Sequence, residues 1–310
     1  MSSSAAILGA FAPKMAITTS FNNNYLTNVC SLALTEAVTA GVPSYAAALA
    51  ASQASRLVAT SSTPDNLIKL YVFNAATDSL SFDRDLRGHG DQVHDLVWSN
   101  GGNPDPAPNG NNLLISASAD GVAAVWDVRT REAAPQLTAR LPAFEPLFSA
   151  DLLGTALAVG GKPSVAVFDT RYPRAPVGQC TDVHTDEVTQ VRFHPARPGY
   201  LLTGSEDTFI NCFDLEQMVN GDSLDDCLDN TLPTEQPVAK MGFFGPDNGF
   251  LYAISPASTV TLWNIDECEL VSQFNTIRDD VNAVICATAK FDNDELYVFI
   301  LIFYFITSML

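Results

Sequence analysis

Four histidines are the residues of this chain with the most scope for chemistry. They form two similar pairs, His89 with His94 and His184 with His194. A zinc site would need three or four converging ligands, and a hydrolase would need a serine placed beside a base. The sequence has no Ser-His-Asp order, G-x-S-x-G elbow, P-loop or G-x-G-x-x-G. We therefore expect no catalytic residue, no metal site and no cofactor.

The charge balance excludes one large class of partners. With 16 Lys and Arg against 35 Asp and Glu, the formal net charge is −19. Such a surface repels phosphate backbones, so we expect no nucleic-acid binding. Apolar residues make up 47% and charged residues 16%, which favours much buried sheet. The six cysteines form no C-x-x-C pair, as expected of reduced thiols in a cytoplasmic or nuclear protein.

A short pattern recurs five times along the chain: a β-type run, an aromatic residue, then Asp or Asn. It reads LYVFN, AVWD, AVFD, NCFD and TLWN, with the aromatic residues Phe73, Trp126, Phe168, Phe213 and Trp263. A second apolar run begins thirteen residues before four of these aromatics. Earlier still comes a run of the form V-x-x-Φ-x-Φ, in which Φ is apolar. Each unit therefore contains three or four short strands.

A period of roughly 40–50 residues with four strands per unit is typical of the blades of a β-propeller. We therefore predict an all-β chain with about five blades and part of a sixth. The first blade, from about Ser44, is poorly marked, and strands at 281–286 and 296–300 would begin the sixth. The domain boundaries follow: a flexible leader over residues 1–24, the propeller over 25–300 and an apolar tail over 301–310.

Residues 88–129, which contain GHGDQVHDLVWS and LLISASADGVAAVWDVR, resemble a WD40 repeat. The resemblance implies a buried network of four polar side chains: His89, Ser116, Asp120 and Trp126. Asp120 would hold the imidazole of His89, which would reach Ser116. The hydroxyl of Ser116 would in turn meet the indole N–H of Trp126. Four polar groups would then satisfy one another inside the blade.

Residues 184–215 keep His184, Thr203 and Asp207 of this set but have Phe213 in place of the tryptophan. Together with the acidic insertion that follows, they resemble the WD repeat-containing protein 89 family. That resemblance implies a seven-bladed WD40 propeller, of which this chain supplies an incomplete set. We interpret the chain as a non-enzymatic scaffold that binds other proteins.

Two neighbouring repeats end their third strand with Asp, one further residue, and Arg. WDVR ends at Arg129 and FDTR ends at Arg171. In some WD40 proteins a W-D-x-R ending marks substrate receptors of cullin–RING ubiquitin ligases, whose adaptor binds that rim. The resemblance makes Arg129 and Arg171 candidate partner-binding residues and makes such a receptor an alternative function. A basic residue at this point also meets ordinary turn and salt-bridge needs.

An acidic segment, NGDSLDDCLDN, interrupts the fourth repeat after its third strand. Its four acids are Asp222, Asp225, Asp226 and Asp229. The plainer interpretation is a solvated loop whose charges repel one another. The alternative is a docking site for a basic partner, which a long-range field would attract.

The last fifteen residues, LYVFILIFYFITSML, contain no charge, glycine or proline. As a helix they would span about 22 Å, short of the ~30 Å hydrocarbon core, so a membrane tether is an alternative that we do not favour. A divergent native strand is a second interpretation. We favour a third, a truncated end, because the pattern is lost after residue 300, before the aromatic of the sixth repeat is due.

Overall fold

Short β-strands make up almost all of the regular structure. The computed structural model describes residues 45–52, 57–63, 65–74, 79–99, 112–141, 145–217, 223–257, 259–275, 286–292 and 295–301. Within these ranges the regular elements are twenty-two β-strands and three short 3₁₀ helices. The prediction of an all-β chain is confirmed for this part of the protein.

The first twelve strands form three antiparallel sheets of four strands, blades 1 to 3, and neighbours in the chain are neighbours in each sheet. Blade 1 contains β1 (Tyr45–Ser52), β2 (Leu57–Thr63), β3 (Leu67–Asn74) and β4 (Ser79–Leu86). Blade 2 contains β5 (Val93–Trp98), β6 (Leu113–Ser118), β7 (Val122–Asp127) and β8 (Leu137–Arg140). Blade 3 contains β9 (Ser149–Leu153), β10 (Ala156–Gly160), β11 (Val165–Asp169) and β12 (Gly178–Cys180).

The remaining ten strands form two further four-stranded blades and one pair. Blade 4 contains β13 (Gln190–Phe193), β14 (Tyr200–Gly204), β15 (Phe209–Asp214) and β16 (Leu228–Pro233). Blade 5 contains β17 (Lys240–Phe244), β18 (Phe250–Ile254), β19 (Val260–Asn264) and β20 (Glu269–Phe274). Partial blade 6 contains β21 (Cys286–Asp292) and β22 (Glu295–Leu301). The described strands do not close into a ring.

The recurrent aromatic residue and the Asp or Asn after it end the third strand of every four-stranded blade. The predicted five blades and part of a sixth are thus confirmed. The partial blade differs in detail. Strand β21 begins at Cys286, where the predicted strand over 281–286 should end, and residues 281–285 lie outside the described part. Strand β22 extends one residue beyond the predicted 296–300 at each end.

The predicted leader and most of the predicted apolar tail lie outside the described residues. Residues 296–301, the start of the apolar C-terminal segment, belong to a strand rather than to a helix. In the ranges that the structure describes, no helix is long and apolar enough to cross a membrane. The interpretations of the tail itself stay predictions.

The second and third strands of each blade are largely buried on both faces. In blade 2, every residue of β6 and β7 except the first of each is buried. A strand covered by sheets on both faces must be apolar at successive positions, which explains runs such as LLIS and AVW. The fourth strands of blades 2, 4 and 5 are far more exposed, and in β16 only Leu232 is buried. One hydrophobic cluster joins Ile115 and Val125 of blade 2 to Leu152 and Phe168 of blade 3.

Equivalent turns of neighbouring blades lie on two opposite rims. On one rim, the connection entering a blade donates a backbone N–H to the turn between the second and third strands of the blade before it. Three such bonds run from Leu147 to Ser118 (3.0 Å), Val188 to Gly161 (2.9 Å) and Val238 to Ser205 (3.0 Å). We call this side the network rim. The opposite side carries the turns after the first and third strands, including Arg129 and Arg171, and we call it the arginine rim.

The close approach of blades 4 and 5 requires a glycine at the end of β14. A β-carbon added at Gly204 would lie 2.7 Å from Cγ1 of Val238. We predict that Gly204→Ala lowers the free energy of unfolding by about 1–3 kcal/mol, the usual cost of overpacking. Gly90→Ala is the matched control, because its added carbon would meet no atom closer than 3.9 Å. Urea denaturation is the measurement, and equal stability of the two variants would show that the blades can move apart freely.

Candidate functional site

In blade 2 the structure brings together the four polar side chains of the network. Nδ1 of His89 lies 3.2 Å from Oδ2 of Asp120, and Nε2 of His89 lies 2.7 Å from Oγ of Ser116. The indole N–H of Trp126 donates to Ser116 Oγ over 2.8 Å. The histidine lies in the connection that enters the blade and the aspartate in the turn after β6. The network therefore ties a connection and a turn to strands β6 and β7.

The protonation of this network follows from its surroundings. Burial lowers the pKa of His89 by more than the Asp120 carboxylate raises it, so the ring is neutral at physiological pH. The ring then donates from Nδ1 to Asp120 and accepts the hydroxyl proton of Ser116 at Nε2. Burial also acts to raise the pKa of Asp120. The backbone N–H groups of Gly90 and Val122, 2.7 and 2.9 Å away, and the hydrogen bond from His89 outweigh it, so the pKa of Asp120 is lowered overall.

Ser116, His89 and Asp120 are hydrogen-bonded in the order of a hydrolase triad, but their setting is different. Ser116 is 1% exposed, and its oxygen already accepts the indole N–H of Trp126. A nucleophile has to reach a substrate carbonyl, whereas this hydroxyl lies inside the blade. The arrangement holds strands together and leaves no oxygen free to react.

Blade 4 builds a similar network with a different fourth member. Nδ1 of His184 lies 2.9 Å from Oδ2 of Asp207, and Nε2 lies 2.8 Å from Oγ1 of Thr203. Phe213 has no N–H to contribute. Instead the amide of Asn211 lies 3.3 Å from His184 Nε2 and donates over 2.8 Å to the carbonyl just before that histidine. Sequence analysis missed Asn211, although a polar side chain within the buried run INCF was the signal available.

Of the four network residues, blade 5 keeps only the tryptophan. Trp263 donates to Oγ1 of Thr261 over 3.0 Å, because Ala253 occupies the strand position that Ser116 has in blade 2. Thr234 stands at the position of the histidine. A small pocket with room for about one water molecule lies beside Thr234, Ala253 and Thr261. The blade is therefore stabilised by packing, with one hydrogen bond left from the network.

The other two histidines join neighbouring blades. Nδ1 of His94 donates to the carbonyl of Leu147 over 3.1 Å. Nε2 of His194 donates to the carbonyl of Asn248 over 3.0 Å, while its Nδ1 accepts the backbone N–H of Arg197. All four histidines thus have structural partners. Within the described ranges, no three His, Cys, Asp or Glu side chains converge as a metal site would require.

Each of the two rim arginines is held by the aspartate two residues before it. Arg129 donates to Asp127 from Nε over 2.9 Å and from Nη2 over 2.5 Å. Arg171 repeats this fork with Asp169, over 2.9 and 2.6 Å. The side chains nevertheless remain 63% and 67% exposed. Each guanidinium is therefore positioned by its own turn and keeps Nη1 for a partner.

The turn itself explains the Asp or Asn of the recurrent motif. Asp127 and Asp169 each accept the backbone N–H two residues further on, over 2.9 Å. Asp214 and Asn264 make the same bond over 3.1 and 3.0 Å. Asp and Asn side chains are well suited to closing such turns. The motif is thus structural, and in these four turns only blades 2 and 3 add an arginine to it.

The acidic segment of blade 4 is not a solvated loop beyond Asp222, so that interpretation is wrong for residues 223–230. Leu224 and Cys227 are fully buried and pack in one hydrophobic cluster with Cys180 of blade 3. Residues 228–233 form the fourth strand of the blade, β16. Two apolar residues three positions apart fold the short 3₁₀ helix back onto the neighbouring blade.

The four acids of that segment have different surroundings. Asp225 and Asp226 are exposed, and Asp229 accepts the hydroxyl proton of Tyr200 over 2.9 Å. Asp222 lies outside the described residues. Docking of a basic partner at these acids stays a prediction.

Sequence analysis missed a charged cluster on the first strands of four blades. Asp95 on β5 is 3% exposed and pairs with Arg192 of β13 over 3.0 Å. Ser149 of β9 donates to Asp95 over 2.6 Å, and Lys240 of β17 lies 3.7 Å from the same carboxylate. Burial acts to raise the pKa of Asp95, but Arg192 and Lys240 lower it overall. A buried carboxylate of this kind is strongly destabilising unless its cations are in place.

Together, the blades, the network and the turn motif have the form of WD40 repeats. A family model described as "WD domain, G-beta repeat" matches residues 81–127 and 176–214. The chain therefore carries WD40 repeats. The first match begins in the fourth strand of one blade and the second begins two residues before such a strand, and both continue through the first three strands of the next blade. Every such sequence repeat consequently links two adjacent sheets.

Three relatives carry the same repeats. The chain is 27% identical over 180 residues to the WD repeat-containing protein 89 homolog of Dictyostelium discoideum, which is 58% of this chain and 45% of that protein. It is 29% identical over 191 residues to the WD repeat-containing protein GTS1 of Arabidopsis thaliana, 60% of this chain and 46% of that protein. An uncharacterised WD repeat-containing protein of Saccharomyces cerevisiae is 35% identical over 118 residues, 36% of this chain and 30% of that protein. The chain thus spans less than half the length of these relatives.

Removing the carboxylate from the blade 2 network should destabilise the chain measurably. Asp120→Ala leaves the buried ring of His89 without its acceptor, and we predict a loss of roughly 1–3 kcal/mol in the free energy of unfolding. Asp91→Ala, at an exposed acid in the same connection, is the control and should change little. Chemical denaturation of both variants gives the comparison. A loss below about 0.5 kcal/mol for Asp120→Ala would mean that the network contributes little to stability.

Acid should weaken the link that His194 makes between blades 4 and 5. Burial, followed by the charge of Arg197, lowers the pKa of His194 to about 4, whereas an imidazole in the unfolded chain titrates near 6.5. Between these values the unfolded chain takes up a proton that the folded chain does not. The free energy of unfolding therefore falls as the pH falls from about 6.5 to about 4. We predict that His194→Asn flattens this part of the stability profile, as measured by urea denaturation at successive pH values.

Asp151 changes the free energy of unfolding with pH in the direction opposite to His194. The stability profile of the variant must therefore be subtracted from that of the unchanged chain. Burial raises the pKa of Asp151 to about 6. The folded chain therefore binds that proton first as the pH falls, which adds stability between about 6 and the ordinary value of 3.8. Subtracting the variant profile from that of the unchanged chain leaves the contribution of His194. A difference that did not vary with pH would show that His194 titrates normally in the folded chain.

Proposed function

We propose that this chain is a non-enzymatic scaffold that binds other proteins through its arginine rim. The observation that supports the proposal is the pair of matching turns in blades 2 and 3, each presenting an exposed arginine held by its own aspartate. Guanidinium groups recognise carboxylates through paired hydrogen bonds. Because each turn is closed by backbone bonds and each guanidinium is already oriented, little conformational entropy is lost on binding.

A substrate receptor of a cullin–RING ubiquitin ligase is a second candidate function. The observation that favours it is the Asp-x-Arg turn of blade 2, with Trp126 buried before it, and its near copy in blade 3. In this candidate function, the adaptor of the ligase would bind Arg129 and Arg171 together, and another surface would hold the substrate. The names of the relatives specify no partner of this kind.

We place this function in the cytoplasm or the nucleus. Cys180, Cys212 and Cys268 form no disulfide in the described part of the chain. Burial raises the pKa of Cys180 and of Cys212 to about 12, which keeps both thiols protonated and unreactive. Reduced, buried cysteines are what a reducing compartment supports.

Replacing Arg129 and Arg171 together with alanine separates partner binding from stability. We predict a nearly unchanged melting temperature, because exposed ion pairs contribute only about 0–1 kcal/mol. Recovery of the cullin-ligase adaptor in a pull-down should fall at least tenfold, the equivalent of about 1.4 kcal/mol. Lys162→Ala is the control, since Lys162 is an exposed, ion-paired residue on the network rim.

Two outcomes would change these proposals. Failure of the unchanged chain to recover the adaptor would reject the receptor candidate and leave the general scaffold. Early melting of the doubly substituted chain would show that the two arginines are needed for the fold. In that case their exposure would not indicate a binding role.

A further inference from the structure

The most exposed large apolar side chains of the described residues lie beside the rim arginines. Tyr172 is 76% exposed and Val177 is 61% exposed. Both belong to the turn between β11 and β12 in blade 3, which also carries Arg171 and Arg174. Exposed Tyr next to Arg is the composition of energetically important binding positions. This turn therefore exposes more apolar side chain than is expected of a surface that contacts only water.

These turns carry two further arginines whose side chains are available for binding. Arg131 in blade 2 and Arg174 in blade 3 are exposed, and neither makes a hydrogen bond or ion pair with the described residues. The acids of the same turns are fewer. Asp127 and Asp169 are already engaged by Arg129 and Arg171, which leaves Glu132. In a chain of net charge −19, these turns form a local excess of positive charge.

Both turns are held in place by the strands around them. The backbone N–H groups of Tyr172 and Val177 donate to strand β11 over 2.8 and 2.7 Å. In blade 2, the Arg84 guanidinium donates to the carbonyls of Val128 and Thr130 over 2.5 and 3.2 Å. Binding side chains on such a frame need little reorganisation. We call residues 128–136 and 170–177 together the two-turn surface.

We propose that the two-turn surface binds an extended acidic segment of a partner protein. Carboxylates of the segment pair with Arg131 and Arg174, and one of its apolar side chains packs against Tyr172 and Val177. This inference rests on the proposed scaffold function and adds the chemistry of the partner. It also involves residues other than the two arginines that the adaptor would bind.

Charge and shape favour an acidic peptide over a nucleic acid. A long polyanion would face the repulsion of the whole chain, whose net charge is −19. A short segment experiences mainly the nearby arginines, because charges are screened beyond about 8 Å at physiological ionic strength. A peptide also brings an aliphatic side chain for Tyr172 and Val177. The apolar part of the surface would have no such partner on a phosphate backbone.

Fluorescence anisotropy with the full chain tests the proposal. The probe is a labelled peptide of about twelve residues, up to ~40 Å long when extended, that contains Glu and Leu residues separated by Gly. A second peptide carries Gln in place of every Glu, and a single-stranded oligonucleotide is the third probe. The tested variants are Arg131→Gln with Arg174→Gln, and Tyr172→Ala. Lys162→Gln, which removes a positive charge from the network rim, is the matched control.

We expect the acidic peptide to bind with a dissociation constant on the order of 10–100 µM. The double arginine variant should weaken binding at least tenfold and Tyr172→Ala several-fold, while Lys162→Gln should leave it unchanged. Higher salt should weaken binding of the acidic peptide.

Absence of binding by the acidic peptide would overturn the proposal. Equal binding of the Gln peptide, tighter binding of the oligonucleotide, or unchanged affinity in the double arginine variant would do so as well. Adaptor recovery that depends on Arg129 and Arg171, together with no peptide binding, would remove only this inference. Loss of both would remove the arginine rim as a binding site altogether.

Discussion

The second and third strands of blades 2 to 5 are largely covered on both faces, and the rest of the described structure depends on this double burial. It requires successive apolar positions in those strands and leaves little space between sheets. Gly160 and Gly204, at the ends of β10 and β14, both face a valine of the next blade with no room for a β-carbon. Each blade is therefore stabilised by its neighbours more than by its own hydrogen bonds.

Because the packing of sheet against sheet stabilises the fold, the polar network can differ from blade to blade. Blade 2 has all four members, and blade 4 replaces the indole with the amide of Asn211. Blade 5 keeps only the bond from Trp263 to Thr261. The equivalent strands of blade 3 place Val159 opposite Ala166, without a polar group. The buried polar groups of these networks have partners, since an unpaired one would cost more than an apolar replacement.

The same packing makes the rims suitable for binding. Turns that connect buried strands cannot shift without moving the sheets, so Arg129 and Arg171 are presented at equivalent places on adjacent blades. The charged cluster around Asp95 adds a link that reaches across four blades. Histidines that could have suggested catalysis instead connect a strand to a turn or one blade to the next.

Much of the fold was predictable because the pattern of each blade is local. The aromatic residue followed by Asp or Asn, and the valine-led run before it, set the number and order of the strands. The network around His89 was predicted from the resemblance of residues 88–129 to a WD40 repeat, within which His89 and Asp120 are separated by 31 residues. The exposed arginines followed from the same local motif.

The sequence alone therefore determined the strands and their phase, and its resemblance to a WD40 repeat indicated the residues of the blade 2 network. Only the tertiary structure decided that Asn211 replaces a tryptophan and that Arg192 pairs with Asp95, 97 residues away. It also decided that Leu224 and Cys227 are buried, although the acidity of their segment suggested a solvated loop. The physical reason is the same in each case. These contacts form where separate strands or blades meet in space. The local periodicity of the sequence does not indicate which residues face each other there.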